Sequence, residues 1–86
     1  MPDYQVYVII NLDGRRYIGI SENVAIRLGQ HNRGESKWTA KNRPWSLEWM
    51  SEKMSLADAR RLENMLKRQK GGRGFFNITG LPFVGS

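Results

Sequence analysis

Two stretches near the N-terminus are dominated by β-branched and aromatic residues: Tyr4-Gln5-Val6-Tyr7-Val8-Ile9-Ile10 and Arg16-Tyr17-Ile18-Gly19-Ile20. Asn11-Leu12-Asp13-Gly14 stands between them, so the pattern predicts a β-hairpin. Two registers compete. A two-residue Asp13-Gly14 turn would pair Ile10 with Tyr17 and set Tyr7 and Tyr17 on opposite faces, because side chains alternate with period two. A three-residue loop, with Asn11 opening a type I turn and Gly14 as a left-handed bulge, pairs Asn11 with Arg15. It sets Tyr7 opposite Gly19 and Tyr17 opposite Ile9, all on one face. The second is preferred, since Asn suits the first turn position and Gly14 supplies the positive φ. The two phenols then become diagonal neighbours, with room in front of Tyr7 at Gly19. Half-buried strand tyrosines would show the same pattern.

The next periodic segment, residues 22–32, reads as a helix. Ser21 or Asn23 is its cap, Glu22 sits in its first turn, and Gly34 ends it. Val24, Ala25 and Leu28 form its apolar stripe, and Arg27 and His31 share a face beside that stripe. Residues 33–43 read as a polar loop ended by Pro44. Trp45-Ser46-Leu47-Glu48-Trp49 then alternates apolar with polar, which predicts a strand buried on one face, its tryptophans in the core. A second helix is expected from the Ser55 cap, with Asp58 as capping-box partner, to Lys70. Leu56, Ala59, Leu62 and Leu66 make its apolar face; Glu63 falls on the edge of that face, flanked by Arg60, Lys67 and Lys70. Glu63 there is either an i,i+4 ion-pair partner of Lys67 or a carboxylate poised to hold a metal. The Gly-rich remainder carries Phe75-Phe76-Asn77 and Leu81-Pro82-Phe83; its phenylalanines are expected to fold back on the core, and the last few residues to be disordered.

The fold class expected is α+β: one small domain with a three-stranded antiparallel sheet, the hairpin plus a third strand, flanked by helices. The domain spans residues 1–86, with a core over 4–77 and a tail over 78–86. The length of 86 residues fits one domain. The absence of cysteine excludes a disulfide framework and a thiolate zinc site, and a single His cannot anchor structural zinc alone. No apolar run approaches the roughly 20 residues of a membrane span, and no leader pattern is recognisable, so a cytoplasmic protein without membrane contact is expected. The net charge of +6 and pI near 10.2 point to a polyanionic partner. That excess is concentrated: +4 falls on residues 55–86, and residues 33–43 hold Arg33, Lys37, Lys41 and Arg43 against one acid, with Trp38 among them. Trp38 in a basic loop is a candidate for stacking on a base or sugar.

A tyrosine in each hairpin strand, the second within Tyr17-Ile18-Gly19, precedes an Arg27…His31 helix, a Trp-bearing strand, and a helix with Glu63 on its buried edge. In order and spacing the chain resembles the GIY-YIG nuclease family, in particular its small stand-alone bacterial members, from Tyr4 to about Asn77. Gln5-Val6-Tyr7 stands where that family has its first tripeptide, with Gln5 in place of glycine.

The resemblance implies a metal-dependent DNA endonuclease. Tyr7 would be the general base, Tyr17 would orient water or phosphate, and Arg27 would grip a phosphate oxygen. His31 would accompany Tyr7, Glu63 would bind one Mg²⁺ or Mn²⁺, and Asn77 would support Glu63 or the outer shell of the metal. A phenol of ordinary pKa, about 10, needs nearby positive charge or a proton acceptor such as His31 to serve at neutral pH. Arg33, Lys37, Trp38, Lys41, Arg43, Arg60, Lys67 and Lys70 are the candidate nucleic-acid contacts. A non-catalytic nucleic-acid-binding module and a small protein-interaction domain using its tryptophans are the competing readings.

Overall fold

The computed structural model describes residues 3–69 and 72–81. Lys70, Phe83 and the last residues, for which disorder is expected, lie outside them. Strands β1 (Gln5–Asn11) and β2 (Arg16–Ser21) form the hairpin, helices α1 (Val24–Asn32) and α2 (Lys37–Lys41) follow, and strand β3 (Trp45–Met50) precedes helices α3 (Leu56–Gln69) and α4 (Arg73–Thr79). The sheet is antiparallel in the order β2-β1-β3, so the most apolar strand is central.

The hairpin takes the three-residue loop. Asn11 N–H donates to the Arg15 carbonyl at 3.0 Å, Asn11 Oδ1 accepts from the Asp13 and Arg15 amides, and Gly14 has φ +81°. Tyr7 consequently pairs with Gly19 and Ile9 with Tyr17, which places both tyrosines on one face. Gln5 donates from Nε2 to the Ser51 carbonyl at 2.7 Å and ties β1 to the chain beyond β3.

Each sheet face has its own core. Val6 and Val8 pack with Ala59 and Leu66 of α3 and Phe75 of α4. Tyr7 and Ile9, of opposite parity, pack with Val24 of α1 and Trp45 of β3.

Several expectations need correction. Helix α1 starts at Val24 rather than residue 22, because Asn23 Oδ1 accepts from Ile26 N and Asn23 itself is extended; Glu22 therefore precedes the helix. Ala25 points to solvent. Residues 37–41, expected in a loop, form a short helix. Strand β3 does not keep one buried face. Val8 pairs with Trp49 but Ile9 with Leu47, so Glu48 is the extra residue of a β-bulge. The bulge reverses the parity, and Trp45 and Trp49 enter opposite cores. Glu48 reaches Arg16 of β2 in a two-pronged ion pair (Nη2–Oε2 2.9 Å), and that guanidinium also lies over the Phe75 and Phe76 rings at 5.2 and 5.3 Å. On α3, Ser55 Oγ accepts from Asp58 N as a cap should, but the Asp58 carboxylate pairs with Arg61 and Leu56 is exposed. The Gly-rich segment after α3 closes as helix α4, which seats Phe75 in the core.

Candidate active site

Tyr7 and His31 meet in the second core. Tyr7 is 1% exposed and His31 fully buried, and the phenol oxygen lies 2.8 Å from Nε2. This contact exists because Gly19 is opposite: a Cβ built there would stand 2.5 Å from the phenol oxygen. The other imidazole nitrogen, Nδ1, lies 2.8 Å from Thr39 Oγ1, and the Thr39 hydroxyl is 3.3 Å from the Ser36 carbonyl. Thr39 is also fully buried, and its carbonyl accepts from Trp45 Nε1 at 2.8 Å, which fastens α2 to β3. Asn32 clamps the same end of β3 from both sides, its Oδ1 accepting from Trp45 N and its Nδ2 donating to Trp45 O.

Tyr17 is the half-buried neighbour of this pair. Its ring centroid is 4.9 Å from that of His31 and 6.3 Å from that of Tyr7. Trp38, 47% exposed, continues the aromatic row between Tyr17 (6.1 Å) and Trp45 (5.8 Å). Arg27, partly buried on α1, donates from Nη1 to Gln30 Oε1 at 2.7 Å and acts on the Tyr7 phenol as a cationic donor. Glu63 sits on α3 with its side chain 19% exposed and accepts from Lys67 Nζ at 3.1 Å, Lys67 itself being 54% exposed. The ion pair expected from the i,i+4 spacing is therefore formed. The negative charge of Glu63 is also felt at Tyr7.

These neighbours set the electrostatics. Burial pushes the Tyr7 phenol up to about 12; Tyr17 and Glu63 act in the same direction, and Arg27 opposes them. His31 is held below the usual imidazole range, first by burial and then by the Arg27 charge. At neutral pH the pair is thus a protonated phenol facing a neutral imidazole.

A family model described as the GIY-YIG catalytic domain matches residues 3–75, nearly the whole chain. The chain belongs to the GIY-YIG family. No curated protein and no solved structure matches it.

GIY-YIG domains are nucleases, and the four residues Tyr7, Tyr17, Arg27 and His31 are in one cluster, with Glu63 close enough for its charge to act on Tyr7. Asn77 is not joined to them. It is exposed on α4, no hydrogen bond among the described residues links its side chain to the cluster, and it falls beyond the matched stretch. The basic residues divide similarly. Lys37 and Lys41 lie on the exposed surface of α2, the helix that brings Trp38 and Thr39 to the site. Arg43 is exposed and lies against Gly34, whose φ of +82° ends the turn after α1. Arg33 is exposed and paired with Glu35 at 2.8 Å. Arg60 lies exposed on α3, where its charge reaches Tyr4 at the sheet's start, and Lys70 is outside the described residues.

Between Tyr17 and Trp38 on one side and Leu66, Lys67 and Phe75 on the other, an open cleft of about 510 Å³ runs along β2. Among the described residues no three His, Asp or Glu side chains converge as a metal cage. A largely covered carboxylate paired with Lys67 of the cleft wall nevertheless fits Mg²⁺, which keeps most of its water and takes few protein ligands. Thr39 is the residue that sequence reasoning missed. A threonine in a basic stretch carries no periodic or motif signal; only the helical turn it occupies points it at His31.

Proposed function

We propose that this GIY-YIG domain is an endonuclease that hydrolyses phosphodiester bonds in DNA, with one divalent cation, Mg²⁺ or Mn²⁺, held through Glu63. The contact between the Tyr7 phenol and His31 Nε2 carries the reading. A buried phenol whose pKa lies near 12 is a poor base alone at neutral pH, because it has a proton to dispose of first. A neutral imidazole 2.8 Å away takes that proton. As water attacks phosphorus, the phenol proton passes to His31 Nε2 and the phenol oxygen takes the proton of the water. The new P–O bond forms from the water oxygen, and the bond to the leaving oxygen breaks with a proton supplied by solvent.

Arg27 grips a non-bridging phosphate oxygen, for which its planar fork is better suited than a lysine ammonium. Tyr17 orients the phosphate from its place at the cleft wall. Trp38 stacks on a base or sugar, and Lys37, Lys41 and Lys67 neutralise neighbouring phosphates. Glu63 would hold the divalent cation, which would supply charge stabilisation for the phosphoryl oxygens and for the leaving oxygen. No helix among the described residues is long and apolar enough to cross a membrane.

The test is cleavage of a panel of duplex, branched and single-stranded DNA with Mg²⁺ or Mn²⁺. Wild type cuts at least one form, whereas Glu63→Ala retains DNA binding and loses cutting by on the order of 10³-fold. Binding without cleavage of any form by wild type, under either metal, would refute the enzyme and leave a nucleic-acid-binding module.

A further inference from the structure

His31 lies in a row of three polar contacts, Tyr7 Oη to Nε2, Nδ1 to Thr39 Oγ1 and Thr39 Oγ1 to the Ser36 carbonyl. The hydrogen bond of the Tyr7 phenol is to His31 Nε2. If Nε2 donated to that oxygen, the phenol hydrogen would have no acceptor among the described side chains. The arrangement that satisfies every group has Tyr7 Oη–H donating to Nε2, Nδ1–H donating to Thr39 Oγ1, and the Thr39 hydroxyl donating to the Ser36 carbonyl. No buried side-chain nitrogen or oxygen among the described residues lacks a partner, in keeping with this order.

We infer that Thr39 is a positioning residue for the reaction: it accepts from His31 Nδ1 and thereby presents the Nε2 lone pair to Tyr7. This rests on the proton route proposed above and adds to it the device that fixes its direction. The Ser36 carbonyl matters as much as the hydroxyl. With its hydrogen committed to that carbonyl, the Thr39 oxygen is left as an acceptor, and the opposite tautomer would set two acceptors, Nδ1 and Thr39 Oγ1, against each other. Helix α2 is held in place by backbone as well as side chain: Trp45 Nε1 donates to the Thr39 carbonyl, and the Ser36 carbonyl also accepts from Ala40 N at 2.8 Å. The charged and titratable groups that face the imidazole and phenol are Tyr17 from β2, Arg27 from α1 and Glu63 from α3, and none of them supplies an acceptor to Nδ1. When the phenol proton arrives, the imidazolium keeps its Nδ1–H on the same oxygen, so no side chain has to rotate.

Thr39→Val keeps the branched shape and removes the acceptor, and Thr39→Ser restores it. Two readouts separate the inference from the nuclease reading. Nitrogen-15 NMR of the His31 ring at pH 7.5 needs no substrate: wild type and Thr39→Ser show Nδ1 protonated and Nε2 bare, and Thr39→Val loses that preference. In metal-supported DNA cleavage, Thr39→Val lowers kcat by roughly 10–100-fold with KM unchanged, and Thr39→Ser recovers most of it. A wild-type imidazole protonated at Nε2, or a Thr39→Val protein with the wild-type tautomer and kcat, overturns the inference while the nuclease reading stands. A wild type that cuts no DNA but shows the Nδ1–H tautomer, lost in Thr39→Val, overturns the nuclease reading and leaves the tautomer lock. If Thr39→Val is unfolded, the wild-type spectrum alone decides.

Discussion

The two faces of the sheet are built from the same strand and serve different ends. On one, Val6, Val8, Ala59, Leu66 and Phe75 make an apolar core, and the buried hydroxyls beside it, Ser51 and Thr79, are bonded to its backbone. On the other, Tyr7, Ile9, Val24 and Trp45 enclose an imidazole and a threonine hydroxyl with no exposure. Water is excluded from both. On the first, burial only stabilises, at about 25 cal/mol per Å² of apolar surface. On the second, burial also raises the phenol, lowers the imidazole and lines up the polar atoms as partners of one another and of the Ser36 carbonyl. Parity along β1 separates the two faces, since Val6 and Val8 enter the apolar core whereas Tyr7 meets His31.

Gly19→Ala should give the largest effect. The added methyl group would meet the Tyr7 oxygen, so the phenol must leave His31 or the hairpin must shift. Cleavage falls to background, at a stability cost of about 1–3 kcal/mol. Gly14→Ala is the control: its Cβ meets nothing, its φ of +81° costs the turn roughly 1 kcal/mol, and cleavage persists. Parallel thermal melts and cleavage rates separate the two, and an active Gly19→Ala protein would break the claim that this glycine serves the phenol.

Val8→Ala, on the apolar face, comes next. Removing two buried carbons costs about 2 kcal/mol, a fall in Tm of roughly 8–16 °C for a domain of this size, with the cleavage rate of the folded fraction unchanged. A selective loss of activity at a temperature where the variant is fully folded would show that the faces are not separable.

The smallest expected difference is in alkali. The Tyr7 pKa is raised on folding, so the native state favours the protonated phenol. Its contribution to stability is complete below the ordinary tyrosine value near 10 and is lost as pH rises toward about 12. Urea melts at pH 9 and pH 11.5 should therefore show wild type losing more stability than Tyr7→Phe. Equal losses would mean that the phenol is no more buried than an ordinary surface tyrosine.

Local chemistry made much of this legible. Asn11 and Gly14 determine the loop, the loop determines the register, and the register alone places Tyr7 with Tyr17 and sets Gly19 before the phenol. The i,i+4 spacing of Arg27 with His31, and of Glu63 with Lys67, was readable for the same reason: each relation lies within one turn of helix. What could not be read depends on partners remote in sequence. The extra residue at Glu48 follows from pairing with β1 and from an ion pair to Arg16, 32 positions away, and it sends Trp49 to the other face. Helix α2 has five residues and no side-chain cap bond, too little to hold a helix alone; Trp45 and His31 hold it in place. The sequence by itself therefore determined the hairpin, the long α3 helix and the chemical types available. Only the tertiary structure decided which nitrogen of His31 meets Tyr7, because the ring is oriented by the partners on its two sides, Tyr7 and Thr39, and packing delivers both.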